Sequence, residues 1–181
     1  IIDLYSRFGH DTSSLRYIKF ILNRMLVKDY NILVMYGING EEHLEERTLE
    51  HLNGYGNSKP VRIGNAAYKQ QQNDVYGELI ETIYTSFIIN YRKDLLMDEE
   101  TWTLVRSLAK KVTEIWQEPD SGIWEHRGDK RHFVHSKMMS WVAMDRAAKI
   151  AKFIGKNHYV PMYEKMAEVI KNDILKNGWD K

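Results

Sequence analysis

Pro119-Asp-Ser-Gly-Ile-Trp-Glu-His-Arg-Gly-Asp-Lys-Arg-His-Phe-Val-His-Ser-Lys137 is the stretch around which the rest of the 181-residue chain is organised. It joins two helical patterns. Gly122 and Gly128 allow tight turns on either side of the pair Trp124 and Glu125. Its side chains are the kinds that sugar chemistry uses. Glu125 can give or take a proton, and Trp124 offers a flat apolar face to a pyranose ring. His126, Arg127, Arg131, His132, His135 and Lys137 supply donors for hydroxyl groups. A polar surface loop between helices has a similar composition, so residue types alone leave both readings open.

The flanking segments are helical by period. Before the stretch, Trp102, Val105, Leu108, Val112, Ile115 and Trp116 recur on one face, and Asp98, Glu99 and Glu100 put negative charge at the start. This predicts a helix over Glu99–Gln117, ended by Pro119. After it, Met139, Val142, Ile150 and Phe153 predict a helix over Ser136–Ile154, stopped by Gly155. Met138, Met139 and Met144 read as core filling. Pro161 opens a helix over Pro161–Lys176 with Met162, Met166, Val169, Ile170 and Ile174 apolar.

Further upstream, the pairs Val75/Tyr76, Leu79/Ile80, Ile83/Tyr84 and Phe87/Ile88 recur every four residues and predict a broad buried stripe on a helix over Asp74–Tyr91. Leu15, Ile18, Ile21, Leu22, Met25 and Leu26 predict a helix over Ser14–Val27, capped by Asp11, Thr12 or Ser13. Ile1 to Phe8 reads as the last turns of another, stopping at Gly9. Between these helices, Asn31 to Gly37 reads as a short strand or extended segment. A long excursion follows, with one helical turn expected around Glu42 to His51. Five helices and one partial helix, packed antiparallel in consecutive pairs, define an all-α chain. No βαβ alternation or Gly-rich phosphate loop appears.

Lys plus Arg number 26 and Asp plus Glu 25, a net charge of +1 that argues against nucleic-acid binding. There is no cysteine, which excludes disulfides and Cys-based zinc sites and fits a reducing compartment; a cytoplasmic location is the expectation. No apolar run approaches the roughly 20 residues that span a bilayer. Nothing in the given sequence reads as a signal peptide, and the chain starts at Ile1 without Met, so a leader could precede it. His126, His132 and His135 lie on a loop with no Cys or carboxylate at matching spacing, so no metal is expected.

Gly-Ile-Trp-Glu-His-Arg-Gly at 122–128, followed by Arg-His-Phe, Ser-Lys and the helix Met139-Ser-Trp-Val-Ala-Met-Asp-Arg-Ala147, resembles glycoside hydrolase family 15. This is the glucoamylase family, which also holds glucodextranases and the trehalases of bacteria and archaea. Tyr36-Gly-Ile-Asn-Gly-Glu41 and Ser58-Lys-Pro-Val-Arg-Ile-Gly-Asn-Ala-Ala67 resemble the connection found in its bacterial and archaeal branch. Gln70, Gln72 and Asp74 match the family's Gln-x-Gln-x-Asp spacing, although helix-start capping accounts for them equally. A well-packed turn is the alternative reading of Arg62 and Asn65.

The resemblance implies an (α/α)6 barrel of twelve helices in two concentric rings, with long active-site loops at one end. Residues 1–181 would then be a single partial domain, the middle portion of the catalytic domain with about half of its helices. On the apolar faces that the other half would cover, some of Val75, Leu79, Ile83 and the Met cluster are expected to be exposed or covered by a second copy in a homo-oligomer. The implied reaction is hydrolysis of an α-glucosidic bond in a small α-glucoside, with inversion and without cofactor. Glu125 would be the general acid. Trp124, His126, Arg127, Arg62, Asn65, Gln70 and Lys137 would bind substrate. The base, and a Trp-Leu-Arg-Asp segment that grips the terminal sugar, would lie outside this chain, so the isolated piece should be inactive. Two other readings stay open: a non-catalytic carbohydrate-binding or scaffold fragment, and a related (α/α)6 glycoside phosphorylase.

Overall fold

The computed structural model of the chain describes residues 4, 8–26, 31–89, 97–125 and 128–179. The order of its longer elements is α1 (Asp11–Leu26), β1 (Arg47–Thr48), β2 (Arg62–Ile63), α2 (Val75–Tyr84, continued by a π turn over Thr85–Ile89), α3 (Glu99–Ile115), α4 (Val134–Phe153) and α5 (Val160–Asn177). All five predicted helices are present, most of them displaced by one to three residues at their ends. Val27, Tyr91 and most of the predicted N-terminal turns lie outside the described residues.

α3 starts where its cap dictates. The Asp98 carboxylate accepts the Thr101 N–H at 2.7 Å, and Glu99 and Glu100 face the positive end of the helix dipole. α4 begins two residues before Ser136, so that Ser136 sits in its first turn instead of capping it. The Ser136 hydroxyl donates to the buried carboxylate of Asp120 at 2.8 Å.

The helices do not all pack as consecutive antiparallel pairs. α4 and α5 do: Lys137 at the start of α4 meets Asp173 at the end of α5. The principal partner of α2, however, is α4 and not its neighbour α3. Gly77 lies on Met139 and Glu81 pairs with Arg146, so both chains advance together and α2 runs parallel to α4. A Cβ at Gly77 would stand 2.1 Å from the Met139 carbonyl oxygen, which is why glycine occupies a helix interior here. Ser136, Ser140, Ala143, Ala147 and Ala151 form a buried stripe of small residues along α4. Two parallel helices side by side, with α3 and α5 packed on them, form part of an (α/α)6 fold.

The core confirms most of the apolar pattern and corrects the rest. Trp102, Val105, Leu108, Val112 and Ile115 of α3 are buried as predicted. Leu79, Ile83 and Met144 are buried, because α2 and α4 cover one another; Val75 and Met139 are half-buried, and Met138, also read as core filling, is exposed. Phe153, Met162 and Val169, read as buried positions, are exposed. The buried face of α5 is instead Tyr163, Ala167, Ile170 and Ile174, with the Tyr163 ring stacked 6.0 Å from Tyr159.

The excursion between α1 and α2 differs from its sequence reading. Asn31–Gly37 pairs into no strand; Tyr36 packs edge-on against Phe20 and its hydroxyl accepts the Leu33 N–H at 3.1 Å. The segment 42–51 makes no helical turn. Arg47 and Thr48 within it pair antiparallel as β1 with β2, Arg47 opposite Ile63 and Thr48 opposite Arg62, and Leu52 N–H then closes a turn on Leu49 O at 3.1 Å. This stretch has no apolar stripe to bury, so its backbone groups find partners across the ladder instead. Asn65 N–H to Leu44 O at 2.8 Å and Leu49 N–H to Val61 O at 2.8 Å extend the pairing on either side.

Candidate active site

The loop between α3 and α4 is closed at its base by an isolated antiparallel bridge. Asp120 N–H donates to Arg131 O at 2.9 Å, and Arg131 N–H donates to Asp120 O at 2.8 Å. Beneath the bridge lies a polar floor. One oxygen of the Asp120 carboxylate accepts both the Asn73 N–H at 2.7 Å and the Ser136 hydroxyl at 2.8 Å. Asn73 spends its own amide on the Ile115 and Glu118 carbonyls, both at 3.3 Å. Ser121 N–H donates to the Gln71 carbonyl at 2.9 Å, and Lys130 Nζ reaches the Gln71 side chain at 2.7 Å. The approach to α2 and the first turn of α4 thus meet at one carboxylate, and the Asn73 amide ties the end of α3 to them. A buried carboxylate with two hydrogen-bond donors near helix N-termini is compensated for its loss of water.

Asp74, next to this floor, is less well served. Its carboxylate is buried, one of its oxygens has no hydrogen-bond partner, and the other lies 3.6 Å from His135 Nδ1. Burial pushes the Asp74 carboxyl up from its ordinary value of 3.8, with the nearby Asp120 charge adding to the effect.

Above the floor the loop turns out to solvent. Gly122 adopts φ +66°, with the Phe133 ring against its backbone where a Cβ would sit 2.8 Å from a ring carbon. Trp124 is 85% exposed, and Glu125 is exposed and holds φ +51°, a left-handed conformation that non-glycine residues rarely adopt. The Glu125 carboxylate accepts a hydrogen bond from Asn65 Nδ2 at 3.2 Å. Asn65 is itself oriented: its Oδ1 accepts the Ala67 N–H at 2.9 Å, capping a single 3₁₀ turn over Ala66–Lys69. With Oδ1 committed to a backbone donor, Nδ2 is the end left to face Glu125. Among the described residues, solvent and the Asn65 amide are what the Glu125 carboxyl meets.

The structure therefore brings together Asn65, Trp124 and Glu125. Arg62 lies three residues before Asn65 on β2, its guanidinium 3.7 Å from Glu46. Gln70 ends the 3₁₀ turn and accepts from Gln72 at 3.5 Å, and it lines a hollow with Asn31, Leu33, Tyr76 and Glu118. The Lys137 side chain pairs elsewhere: its ammonium is 3.1 Å from Asp173 and 4.9 Å from the centre of the Trp116 ring. His126 and Arg127 lie outside the described residues. Sequence reasoning missed Asp120, Gln71, Asn73 and Ser136. Asp120 follows proline and precedes Ser-Gly, so it reads as a turn residue, and its partners are 47 and 16 residues away.

The helical arrangement and this loop place the chain among the (α/α)6 glycosidase folds. Residues 4–181 match the family model described as Glycosyl hydrolases family 15, and the chain belongs to that family. A curated relative named Trehalase from Mycolicibacterium smegmatis is 42% identical over 148 residues, covering 82% of this chain and 22% of its own length. Trehalase from Mycobacterium tuberculosis is 42% identical over 147 residues, covering 81% of this chain and 21% of its own length. Trehalase from Thermoplasma volcanium is 31% identical over 180 residues, 99% of this chain and 28% of its own length. The chain thus spans less than a third of each. No solved structure matches it.

Proposed function

We propose that residues 1–181 are the middle portion of the catalytic domain of an inverting glycoside hydrolase that cleaves an α-glucosidic bond in a small glucoside, with Glu125 as general acid. The observation that carries this reading is the Asn65–Glu125 hydrogen bond. It joins the two segments that resemble the family's loops, 60 residues apart, around a glutamate held in a strained conformation beside an exposed tryptophan. Strain at an exposed polar residue costs about 1–3 kcal/mol and persists where the surroundings impose it, which is common at working sites.

In this mechanism the protonated Glu125 gives its proton to the glycosidic oxygen as the C–O bond breaks. Water adds to the anomeric carbon from the opposite face and loses its proton to a second carboxylate, which lies roughly 6.5–9.5 Å from the first in inverting enzymes. Asp120 is too enclosed to serve as that base, being 1% exposed with its carboxylate held by two donors. The base and the residues that grip the terminal sugar are assigned to parts of the domain outside this chain. Trp124 would carry a pyranose face, and Asn65 would hold the acid. Arg62, Gln70, His126 and Arg127 would line the sugar path. Lys137 would act through its pair with Asp173 at the α4–α5 contact.

Because the named relatives are trehalases, trehalose is the first substrate to test, with maltose and isomaltose beside it. No helix among the described residues is long and apolar enough to cross a membrane; the site of action is proposed as cytoplasmic. Association between copies would use the exposed side chains of the two C-terminal helices, such as Phe153 and Met162, and light scattering reads it directly. The full-length protein should hydrolyse at least one of these sugars with β-glucose among the first products by NMR, and the 181 residues alone should hydrolyse none. Release of α-glucose only, or turnover by the isolated chain, overturns the assignment.

A further inference from the structure

We infer that Asp120 is the positioning residue of the acid loop: it sets the register of Glu125 on the helical floor, and turnover of substrates that need protonation depends on it. The inference rests on the reading of Glu125 as general acid. At the tip Glu125 is held by the exposed Asn65 bond, 3.2 Å long, which by itself does not set the height of the carboxyl above the floor. The base of the loop does. The Asp120–Arg131 bridge closes the loop, and the Asp120 carboxylate ties that bridge to the residue before Asp74 and to the first turn of α4. α2 and α4 run parallel, so this single carboxylate registers the loop against both helices at their N-terminal ends. Only four residues separate Asp120 from Glu125, and Gly122 makes its turn against Phe133, itself next to α4. A shift of the base therefore passes to the acid. Misplacement of a reacting group by about 1 Å costs on the order of 10²-fold in rate.

The test uses the full-length protein with Asp120→Asn, Asp120→Ala, Ser136→Ala and Glu125→Gln. Each is assayed on the hydrolysed disaccharide and on α-glucosyl fluoride, whose leaving group needs little protonation. Glu125→Gln should lose about 10²–10⁴-fold on the disaccharide and far less on the fluoride. Asp120→Ala should show the same split at about 10²-fold, and Ser136→Ala a weaker one of about tenfold, with KM little changed. Asp120→Asn keeps an oxygen for both donors and should recover most of the disaccharide rate. If Asp120→Ala fails to fold, Ser136→Ala and Asp120→Asn still decide the matter. Equal losses on both substrates mean a merely structural role and overturn the inference, as do unchanged disaccharide rates. A split for Glu125→Gln with none for the Asp120 and Ser136 variants overturns this inference alone. A wild-type-like Glu125→Gln removes the acid assignment and this inference with it.

Discussion

Asp120 and Glu125 are two carboxylates of one loop, four residues between them, in opposite situations. Asp120 is buried at the base, one carboxylate oxygen met by the N–H of Asn73, just ahead of α2, and by the Ser136 hydroxyl in the first turn of α4. Glu125 stands at the tip, exposed, in a left-handed turn, with one side-chain amide beside it. The difference teaches where each kind of work is done. A buried carboxylate that holds two donors on one oxygen contributes to folding and register, whereas an exposed, strained one contributes little to stability and is free to meet a substrate.

The largest effect expected from this contrast is on stability. Asp120→Ala leaves two donors buried without an acceptor and should cost about 3 kcal/mol, while Trp124→Ala and Glu125→Gln should stay within about 0.5 kcal/mol, as exposed substitutions usually do. Urea titrations of the three variants check it. Equal losses at base and tip would break the comparison. Next comes the contact on which the floor rests. Gly77→Ala forces a methyl against the Met139 carbonyl and should destabilise by about 1–3 kcal/mol, the usual range for overpacking. A neutral result would mean that α2 and α4 do not approach as closely as described.

A third prediction separates two acids by pH, the buried Asp74 and the half-buried Asp173. The folded Asp74 carboxyl is raised by burial, so its stability contribution is complete below the unfolded value near 3.8 and is lost as pH rises through the folded value. Asp74→Asn should therefore gain in thermal midpoint over wild type at pH 7 and lose that gain near pH 3. Asp173 behaves the other way. Burial acts to raise its carboxyl, but hydrogen bonds from Lys137 and Asn177 outweigh it and hold it below 3.8, so its contribution is present above that value and is lost as pH falls through the folded one. Asp173→Asn should lose stability at pH 7 and little at low pH. Two variants with the same pH trend would contradict the assignment. The smallest effect is at the tip: Glu125→Gly relieves a left-handed conformation that costs about 1–2 kcal/mol, partly offset by greater freedom of the unfolded chain, for a net gain of about 0.5 kcal/mol. A loss of stability would mean that the Asn65 bond outweighs the strain.

The same contrast explains what could be read from the sequence. Large apolar residues at helical spacing located all five helices, because burying them is what makes those segments helical. The faces were less legible where small residues carry the contact. Ser140, Ala143, Ala147 and Ala151 bring α4 close to its neighbours, and a search for large side chains selects Phe153 instead, which is exposed. Glu125 and Trp124 could be singled out because their chemistry and local pattern are distinctive. Asp120, Asn73 and Ser136 could not, since a buried acid and a turn acid look alike until their distant partners are known. The β1–β2 ladder was missed for a related reason: two-residue strands have no period to detect, and their pairing is set by residues well separated in the chain.

The most direct measurement compares Glu125→Gln with wild type in the full-length protein, on trehalose or maltose and on α-glucosyl fluoride. Gln keeps the shape and the Asn65 contact, so binding should persist, but it has no proton to give the leaving oxygen. The account predicts a loss of at least about 10²-fold on the disaccharide with substantial hydrolysis of the fluoride retained. Disaccharide turnover at the wild-type rate would contradict it.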